Sequence, residues 1–261
     1  MSGKLDGQAA IVTGGGRGIG RFIALRFAAE GAAVALAATG AQALEACARE
    51  IRAAGGRALA IPTDVSDEAA VAAMVKQTVA ELGRIDVLVN NAGIAGPTAP
   101  ATEVPREGWQ RTLDINLTGA FLCAKHAAPH MMTRRSGRIV NITSVAGLMG
   151  VSYRTPYAAS KWGMIGLTRS LALELGEYGI TVNAIAPGAV RGDRIDAVIQ
   201  SRARALGGTA EEIEREFFIE PTALKRMVEP EEIAAMALYF ASDEARSVTG
   251  ETIAVSGGFR I

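Results

Sequence analysis

The chain of 261 residues has few aromatic side chains, cysteines and histidines. Only 5% of its residues are aromatic although 49% are hydrophobic, so small aliphatic side chains must fill the core. The two cysteines, Cys47 and Cys123, indicate buried thiols in the cytoplasm rather than a disulfide-stabilised secreted protein. The two histidines, His126 and His130, lack the adjacent glutamate of a helical zinc motif, so no metal site is predicted.

An excess of one charge and a long apolar run are also missing. Lys and Arg total 27, and Asp and Glu total 27. The longest basic cluster, residues 134–138, is too short for a nucleic-acid track. No apolar run is long enough to span a membrane, and residues 1–8 lack the apolar core of a signal peptide. We therefore expect neither nucleic acid nor membrane as a partner.

The sequence does contain a regular alternation of short apolar runs and amphipathic segments. The apolar runs predict strands at residues 9–13, 33–37, 57–62, 85–89, 138–142, 180–185 and 252–255. The segments between them predict helices, among them 41–54, one with Ser66 as its N-cap, 106–134, one from Tyr157 to about Gly176, 191–226 and 229–241. This alternation without a linker predicts a single α/β domain over residues 1–261, with a doubly wound, parallel, seven-stranded sheet and helices on both faces.

The first predicted strand ends in a glycine-rich loop, which a predicted helix follows. The loop contains Gly14, Arg17, Gly18, Ile19 and Gly20. Because glycines carry no side chain, backbone N–H groups and the helix N-terminus can approach a pyrophosphate there. The loop therefore predicts a dinucleotide site, and a tight turn without a ligand is the alternative.

The residues after the second strand bear on which dinucleotide binds. An acidic residue at this place would bind the ribose 2′-hydroxyl and repel a 2′-phosphate. The chain has Ala38, Thr39 and Gly40 instead, while Arg17 could reach a 2′-phosphate and Thr39 could hydrogen-bond to it. This pattern favours NADP(H), with NAD(H) as the alternative.

Tyr157 and Lys161 are four residues apart, which places them on one face of a predicted helix. A phenol ordinarily keeps its proton at neutral pH, and an ammonium group one turn away favours the phenolate. The pair can therefore act as a general acid and base. For an isolated pair, a packed tyrosine and a solvated lysine would be the simpler explanation.

Further motifs accompany the glycine loop and the Tyr–Lys pair, in the order Asp64-Val65, Asn90-Asn91-Ala92-Gly93, Asn116, Ser144 and Pro187-Gly188. Together they resemble those of the short-chain dehydrogenase/reductase family, in particular its 3-oxoacyl-(acyl-carrier-protein) reductase-like members. The resemblance covers nearly the whole chain. It implies a compact Rossmann-type domain and a homotetramer.

The resemblance also implies roles for individual residues. Tyr157 would protonate a carbonyl or deprotonate an alcohol, Lys161 would bind the nicotinamide ribose, and Ser144 would hydrogen-bond to the substrate oxygen. Asn116 would hold a water molecule linked to Lys161, and Asp64 would meet the adenine amino group. The implied cofactor-binding residues beyond the glycine loop and Thr39 are Asp64, Val65, Asn90, Ala92, Gly93, Tyr157, Lys161, Pro187, Gly188 and Val190.

The expected activity is NADP(H)-dependent interconversion of a ketone or 3-oxoacyl carbonyl and a secondary alcohol in a small molecule. An NAD-dependent polyol, sugar or hydroxyacid dehydrogenase and a nucleotide-sensing protein without turnover remain open. The substrate is expected under a lid at about residues 189–228, whose charges are most simply explained as a solvated helix face. Leu173 stands where carrier-protein reductases tend to have a basic residue.

Overall fold

The computed structural model describes residues 3–259. Its strands are β1 (Ala9–Thr13), β2 (Ala33–Ala38), β3 (Ala58–Pro62), β4 (Val87–Asn90), β5 (Gly137–Ile142), β6 (Ile180–Pro187) and β7 (Thr252–Val255). They form one parallel sheet in the order β3-β2-β1-β4-β5-β6-β7. The predicted doubly wound, seven-stranded parallel sheet is confirmed, and strand ends differ from the prediction by at most two residues.

The α-helices of the described chain cover both faces of the sheet. They are α1 (Gly18–Ala29), α2 (Ala41–Ala53), α3 (Glu68–Leu82), α4 (Arg106–Leu113), α5 (Gly119–Arg134), α6 (Thr155–Leu175), α7 (Asp193–Leu206), α8 (Ala210–Glu214) and α9 (Pro230–Ala241). No helix within residues 3–259 is long and apolar enough to cross a membrane.

Each strand supplies side chains to two hydrophobic layers, because successive residues of a strand point to opposite faces. In β1, Ala10 and Val12 pack with helices α1, α2 and α9. Ile11, between them, packs with helices α3, α5 and α6 on the other side. The sheet is thus buried on both faces. A ligand can reach it at the edge formed by the carboxyl ends of its strands, which is called the carboxyl edge below.

The strand order reverses between β1 and β4. The chain moves outward from β1 to β2 and β3, then returns to place β4 on the other side of β1. The loops after Thr13 and Asn90 therefore run in opposite directions and leave a crevice between them, where ligands of such sheets bind.

The prediction of Ser66 as the N-cap of α3 is wrong. The carboxylate of Asp67 caps this helix, since it accepts hydrogen bonds from the backbone N–H groups of Ala69 (2.9 Å) and Ala70 (3.4 Å). The Ser66 hydroxyl instead donates to Asp64 at 2.6 Å. Both residue types are good caps, so the sequence alone did not distinguish them.

The predicted continuous helix over residues 106–134 is also interrupted. Helices α4 and α5 are joined by a π-helical turn, Asp114–Thr118, which contains Asn116. Such a turn inserts one residue without breaking the helix and leaves no mark in the apolar pattern.

The segment after β6 forms a separate layer over the carboxyl edge. The prediction of one helical stretch over residues 191–226 is wrong, because α7 and α8 are separate, a π-helical turn spans Arg215–Ile219, and turns follow. Ile199, Ala203, Ile213 and Met227 form its small core. Its two ends are joined at the base, where Val190 and Val228 form a parallel bridge.

Candidate active site

Two side chains at the ends of β1 and β4 hold the glycine loop. The hydroxyl oxygen of Thr13 accepts hydrogen bonds from the N–H groups of Asn91 and Ala92, both at 3.0 Å, and donates to the Val89 carbonyl at 3.2 Å. The side-chain amide of Asn91 donates to the carbonyls of Thr13 (2.9 Å) and Gly14 (3.3 Å). The two loops that line the crevice are therefore bonded into one unit. No role for Thr13 or Asn91 was predicted from the sequence.

The glycine loop leaves space where a dinucleotide phosphate needs it. A Cβ at Gly20 would lie 2.2 Å from the Gly14 carbonyl oxygen, so the backbone approaches too closely for a side chain. A Cβ at Gly18 would meet nothing within 4 Å. The first turn of α1 has neither a side-chain cap nor an acidic residue. Its N–H groups can therefore bind an anion, and this arrangement fits a pyrophosphate.

The residues predicted at the adenine end lie along the same edge of the sheet. Thr39 follows β2, which pairs with β1, and both Thr39 and Arg17 are exposed. Asp64 follows β3 and accepts hydrogen bonds from the hydroxyl (2.6 Å) and the N–H (2.9 Å) of Ser66. These two bonds lower the pKa of Asp64, so its carboxylate is an acceptor at neutral pH.

Three predicted cofactor residues turn their side chains into the protein. Ile19 packs against the core on one face of the sheet. Val65 is 5% exposed and lies against Gly119 of α5. The Asn90 amide donates to the Asn141 side chain at 2.9 Å. Because the side chains of Val65 and Asn90 are buried, these two residues have only backbone groups left for a ligand, whereas Ile19 stays partly exposed.

Asn116 connects the loop after β4 to helix α6. Its side-chain oxygen accepts from the Ile94 N–H at 2.7 Å, and its amide nitrogen donates to the Ile94 carbonyl and to the Ser160 hydroxyl, both at 3.0 Å. A Cβ at Gly93 would lie 3.0 Å from the Asn116 oxygen and 3.8 Å from Lys161 Nζ. Gly93, Asn116 and Lys161 therefore meet at one point of the crevice.

Lys161 is almost fully buried beneath Tyr157. Its Nζ donates to the Ile142 carbonyl at 2.8 Å and lies 5.7 Å from the centroid of the Tyr157 ring. Burial, and secondarily the positive charge of Arg194, lower the pKa of Lys161 to about 7. The lysine can therefore gain or lose a proton near neutral pH.

Ser144 follows β5 by two residues, at the same edge of the sheet. Its hydroxyl oxygen accepts a hydrogen bond from the Ala146 N–H at 3.1 Å. A hydroxyl that accepts in this way still has its own proton to donate.

The backbone after β6 forms the rim of the crevice. The N–H of Gly188 donates to the Val255 carbonyl at 3.0 Å, and Pro187 is the last residue of β6. Val190 follows and forms a parallel bridge with Val228. Pro187, Gly188 and Val190 are thus fixed by β7 and by this bridge.

Two arginines that were not predicted as site residues also reach the site. Arg154 precedes α6, and its Cζ lies 4.9 Å from the Tyr157 ring centroid on a side chain that is only 8% exposed. Arg194 of α7 donates to the Gly93 carbonyl. The only signal for Arg154 was its position three residues before Tyr157, within one helical turn. Arg194 was expected on a solvated helix face.

Fold and site together define a nicotinamide-dependent oxidoreductase. The glycine loop, the crevice where the strand order reverses and the Tyr157–Lys161 pair lie on one edge of a doubly wound sheet.

Comparison with known proteins agrees with this class. A family model described as enoyl-(acyl carrier protein) reductase matches residues 14–260. The chain belongs to this family of short-chain dehydrogenases/reductases, whose members act on CH–OH and carbonyl groups, and the resemblance noted from its motifs is confirmed.

Individual relatives match over nearly their whole length. The 3-oxoacyl-(acyl-carrier-protein) reductase of Staphylococcus aureus is 41% identical over 252 residues, 96% of this chain and 97% of the relative. A (2S)-((R)-hydroxy(phenyl)methyl)succinyl-CoA dehydrogenase subunit of Thauera aromatica is 39% identical over 256 residues, 97% of each chain.

Similar solved structures include levodione reductase and an NAD+-bound xylitol dehydrogenase. Levodione reductase is 36% identical with a TM-score of 0.92, covering 97% of this chain and 98% of its own. The xylitol dehydrogenase is 34% identical with a TM-score of 0.94, covering 98% of this chain and 100% of its own.

Proposed function

We propose that this chain interconverts a ketone or 3-oxoacyl carbonyl and a secondary alcohol of a small molecule, with NADP(H) as cofactor and Tyr157 as acid and base. The observation that carries the proposal is the position of the Tyr157 ring near two cations. Lys161 Nζ lies 5.7 Å and Arg154 Cζ 4.9 Å from its centroid. A tyrosine that acts as acid and base needs such basic side chains beside it to exchange its proton.

Each residue of the predicted catalytic set has a task in this proposal. In reduction Tyr157 donates its phenolic proton to the carbonyl oxygen, and in oxidation it takes the proton of the alcohol. The Ser144 hydroxyl donates to the same oxygen. Lys161, which exchanges its proton near neutral pH, restores the Tyr157 proton, and Asn116 fixes the loop beside Lys161. The nicotinamide cofactor, when bound, supplies or accepts the hydride.

The preference for NADP(H) rests on the adenine end of the crevice. Thr39 and Arg17 are exposed there, and residues 38–40 at the end of β2 include no carboxylate to repel a 2′-phosphate. The proposed cofactor residues are Gly14, Arg17, Gly18, Ile19, Gly20, Thr39, Asp64, Val65, Asn90, Ala92, Gly93, Tyr157, Lys161, Pro187, Gly188 and Val190.

An NAD-dependent dehydrogenase is the second candidate. One similar structure is named an NAD+-bound xylitol dehydrogenase. Another is a 7α-hydroxysteroid dehydrogenase complexed with NADH, 36% identical with a TM-score of 0.90. Fluorescence titration with NADPH and NADH separates the two. We expect NADPH to bind at least about 10-fold more tightly, a difference of about 1.4 kcal/mol, and a preference for NADH would contradict this part of the proposal.

The role of Tyr157 is tested with a panel of ketones and alcohols. We expect Tyr157→Phe to lose turnover by at least about 100-fold while it still binds the cofactor, because only the proton donor is removed. Turnover equal to that of the wild type would refute Tyr157 as the acid and base.

We further infer that the chain is one domain over residues 1–261, with residues 189–228 as its substrate lid, in a cytoplasmic homotetramer. Large apolar side chains on helices α4, α5 and α6 remain exposed and support association, namely those of Trp109, Phe121, Trp162 and Leu173. The buried free thiols of Cys47 and Cys123 support a reducing compartment. Light scattering that gives a monomer at micromolar concentration would contradict the tetramer.

A further inference from the structure

An arginine in the first turn of α7 reaches the wall of the crevice. Arg194 is the second residue of this helix, and its Nη2 donates a hydrogen bond to the Gly93 carbonyl oxygen in the loop after β4. Gly192, directly before the helix, has a φ of 128°, which residues with a side chain rarely adopt. A glycine therefore shapes the backbone at the point where α7 begins.

The carbonyl that Arg194 contacts lies beside the predicted catalytic lysine. A Cβ at Gly93 would be 3.8 Å from Lys161 Nζ and 3.0 Å from the Asn116 side-chain oxygen. Lys161 is the residue expected to bind the nicotinamide ribose. Arg194 is therefore at the end of the crevice where the nicotinamide half of a dinucleotide is expected.

Arg194 has no acidic partner in the part of the chain that the structure describes. Other exposed arginines between β6 and α9 pair with carboxylates, as Arg191 does with Glu229 at 3.2 Å and Arg226 with Glu232 at 2.7 Å. Arg194 is exposed as well, but it makes no salt bridge within residues 3–259. Only one nitrogen of its guanidinium bonds to a carbonyl oxygen, so its other N–H groups can donate to a ligand.

Arg194 adds positive charge to a site that already holds two basic side chains. Burial is the main cause that lowers the pKa of Lys161 to about 7, and it also lowers the pKa of Arg154; the charge of Arg194 contributes to both shifts. Among residues 3–259, neither Lys161 nor Arg154 makes a salt bridge with a carboxylate. A cleft lined by charges of one sign attracts ligands of the opposite sign. This end of the crevice therefore favours an anion.

A nicotinamide dinucleotide brings such an anion, because a pyrophosphate joins its adenine and nicotinamide halves. The N–H groups at the start of α1 can bind the pyrophosphate from the side of the glycine loop. Arg194 offers a cation from α7. A guanidinium binds phosphate oxygens through paired, charge-assisted hydrogen bonds, so an arginine suits this task.

We propose that Arg194 is a cofactor-binding residue, which pairs with the nicotinamide-side phosphate of the bound dinucleotide and fastens α7 over the crevice. This inference rests on the nicotinamide cofactor of the proposed function, and it adds a residue of the proposed lid to the cofactor site. It depends neither on the preference between NADPH and NADH nor on the identity of the substrate.

The experiment compares a whole dinucleotide with its adenine half, which lacks the nicotinamide-side phosphate. The Kd values of NADPH and of 2′,5′-ADP are measured by calorimetry for the wild type and Arg194→Gln. If NADH binds more tightly, NADH and AMP replace them. In Arg194→Gln we expect the Kd of the dinucleotide to rise at least about 10-fold, or about 1.4 kcal/mol, and that of the adenine half to change less than about twofold.

Three controls separate this role from a general loss of charge or of folding. Arg204→Gln removes an exposed arginine of the same helix and should leave both Kd values unchanged. Arg194→Lys keeps the charge without the planar guanidinium and should retain part of the affinity. The dinucleotide affinity of the wild type should fall more steeply with added NaCl than that of Arg194→Gln, because the variant has one charge contact fewer. Circular dichroism confirms that each variant is folded.

Hydrogen exchange measures whether the cofactor fastens α7. In the wild type, NADPH should slow amide exchange in residues 193–206, and 2′,5′-ADP should not. In Arg194→Gln saturated with NADPH, this slowing should be absent. Equal protection of α7 in the two proteins would contradict the proposal.

The possible failures have different meanings. If Arg194→Gln leaves the Kd of the dinucleotide unchanged, Arg194 only joins α7 to the loop after β4 and the assignment is refuted. An unchanged Kd together with a higher KM for an anionic substrate would place a substrate group at Arg194 and overturn it as well. An equal loss of affinity for the dinucleotide and its adenine half would also refute it.

Each of these failures leaves the proposed function intact. A wild-type chain that binds neither NADPH nor NADH would refute the proposed function and this inference with it. Full turnover in Tyr157→Phe would refute the role of Tyr157 alone, since the binding experiments on Arg194 do not involve turnover.

Discussion

The Nζ atom of Lys161 donates a 2.8 Å hydrogen bond to the carbonyl oxygen of Ile142, the last residue of β5. This bond holds the lysine in a position where it is 4% exposed, next to the Tyr157 ring. A carbonyl oxygen only partly replaces the water that a buried ammonium group loses. Burial of Lys161 therefore lowers the stability of the fold, although it places an amino group beside the Tyr157 ring.

This relationship predicts how stability depends on pH. The pKa of Lys161 is lowered from 10.5 to about 7 in the folded chain. Between these pH values the unfolded chain binds the proton and the folded chain does not, so stability rises with pH, by at most about 1.4 kcal/mol per pH unit. Urea unfolding of the wild type and Lys161→Met at several pH values checks this. The difference in unfolding free energy should change in favour of the wild type from about pH 7 upward, and a pH-independent difference would contradict it.

Removal of the Thr13 hydroxyl should loosen both loops of the crevice. In Thr13→Val the N–H groups of Asn91 and Ala92 lose their acceptor at a site that is 1% exposed. Unsatisfied buried groups cost about 1–3 kcal/mol, which we expect as the loss in unfolding free energy. NADPH binding should weaken as well. Thr13→Ser keeps the hydroxyl and serves as the matched control, so an equal loss in both variants would argue against the hydrogen bonds as the cause.

A methyl group at position 20 should displace the glycine loop. The Cβ of Gly20→Ala would lie 2.2 Å from the Gly14 carbonyl oxygen, so the loop must shift, at a cost of about 1–3 kcal/mol. We expect the Kd for NADPH to rise at least about 10-fold, which corresponds to 1.4 kcal/mol or more. Gly176→Ala, whose Cβ meets nothing within 4 Å, should instead be stabilising or neutral. Unchanged cofactor affinity in Gly20→Ala would show that the loop is not a phosphate cradle.

A carboxylate introduced after β2 should change the cofactor preference. Thr39 is exposed there, and Thr39→Asp would repel a 2′-phosphate and accept a hydrogen bond from a 2′-hydroxyl. We expect the ratio of NADPH to NADH affinity to fall at least about 10-fold, by 1.4 kcal/mol. Thr39→Asn has nearly the same shape without the charge and should change the ratio much less. Equal effects of the two variants would show that electrostatic repulsion is not the cause.

The sheet was predictable because its signals are local. A parallel strand that is buried on both faces appears as a short apolar run, and all seven runs became strands. The helices were less well predicted. The π-helical turn at Asp114–Thr118 and the break between α7 and α8 change the path of the backbone without changing the apolar pattern.

The candidate site likewise has features that were predictable from neighbouring residues and contacts that were not. The glycine loop and the Tyr157–Lys161 pair each lie within a few neighbouring residues. The sequence alone therefore determined the oxidoreductase class and the expected cofactor type. The contacts of Asn91 with Gly14 and of Asn116 with Ile94 join segments that are far apart in the chain. No sequence spacing records such contacts.

The sequence by itself therefore determined the strand pattern, the nucleotide loop and the acid–base pair. Only the tertiary structure placed Arg154 against the Tyr157 ring and brought Arg202 of α7 next to Arg154. The physical reason is that a charged residue on a helix is compatible with either solvent or a buried site. Which of the two it meets is decided by the packing of α7 over the carboxyl edge of the sheet.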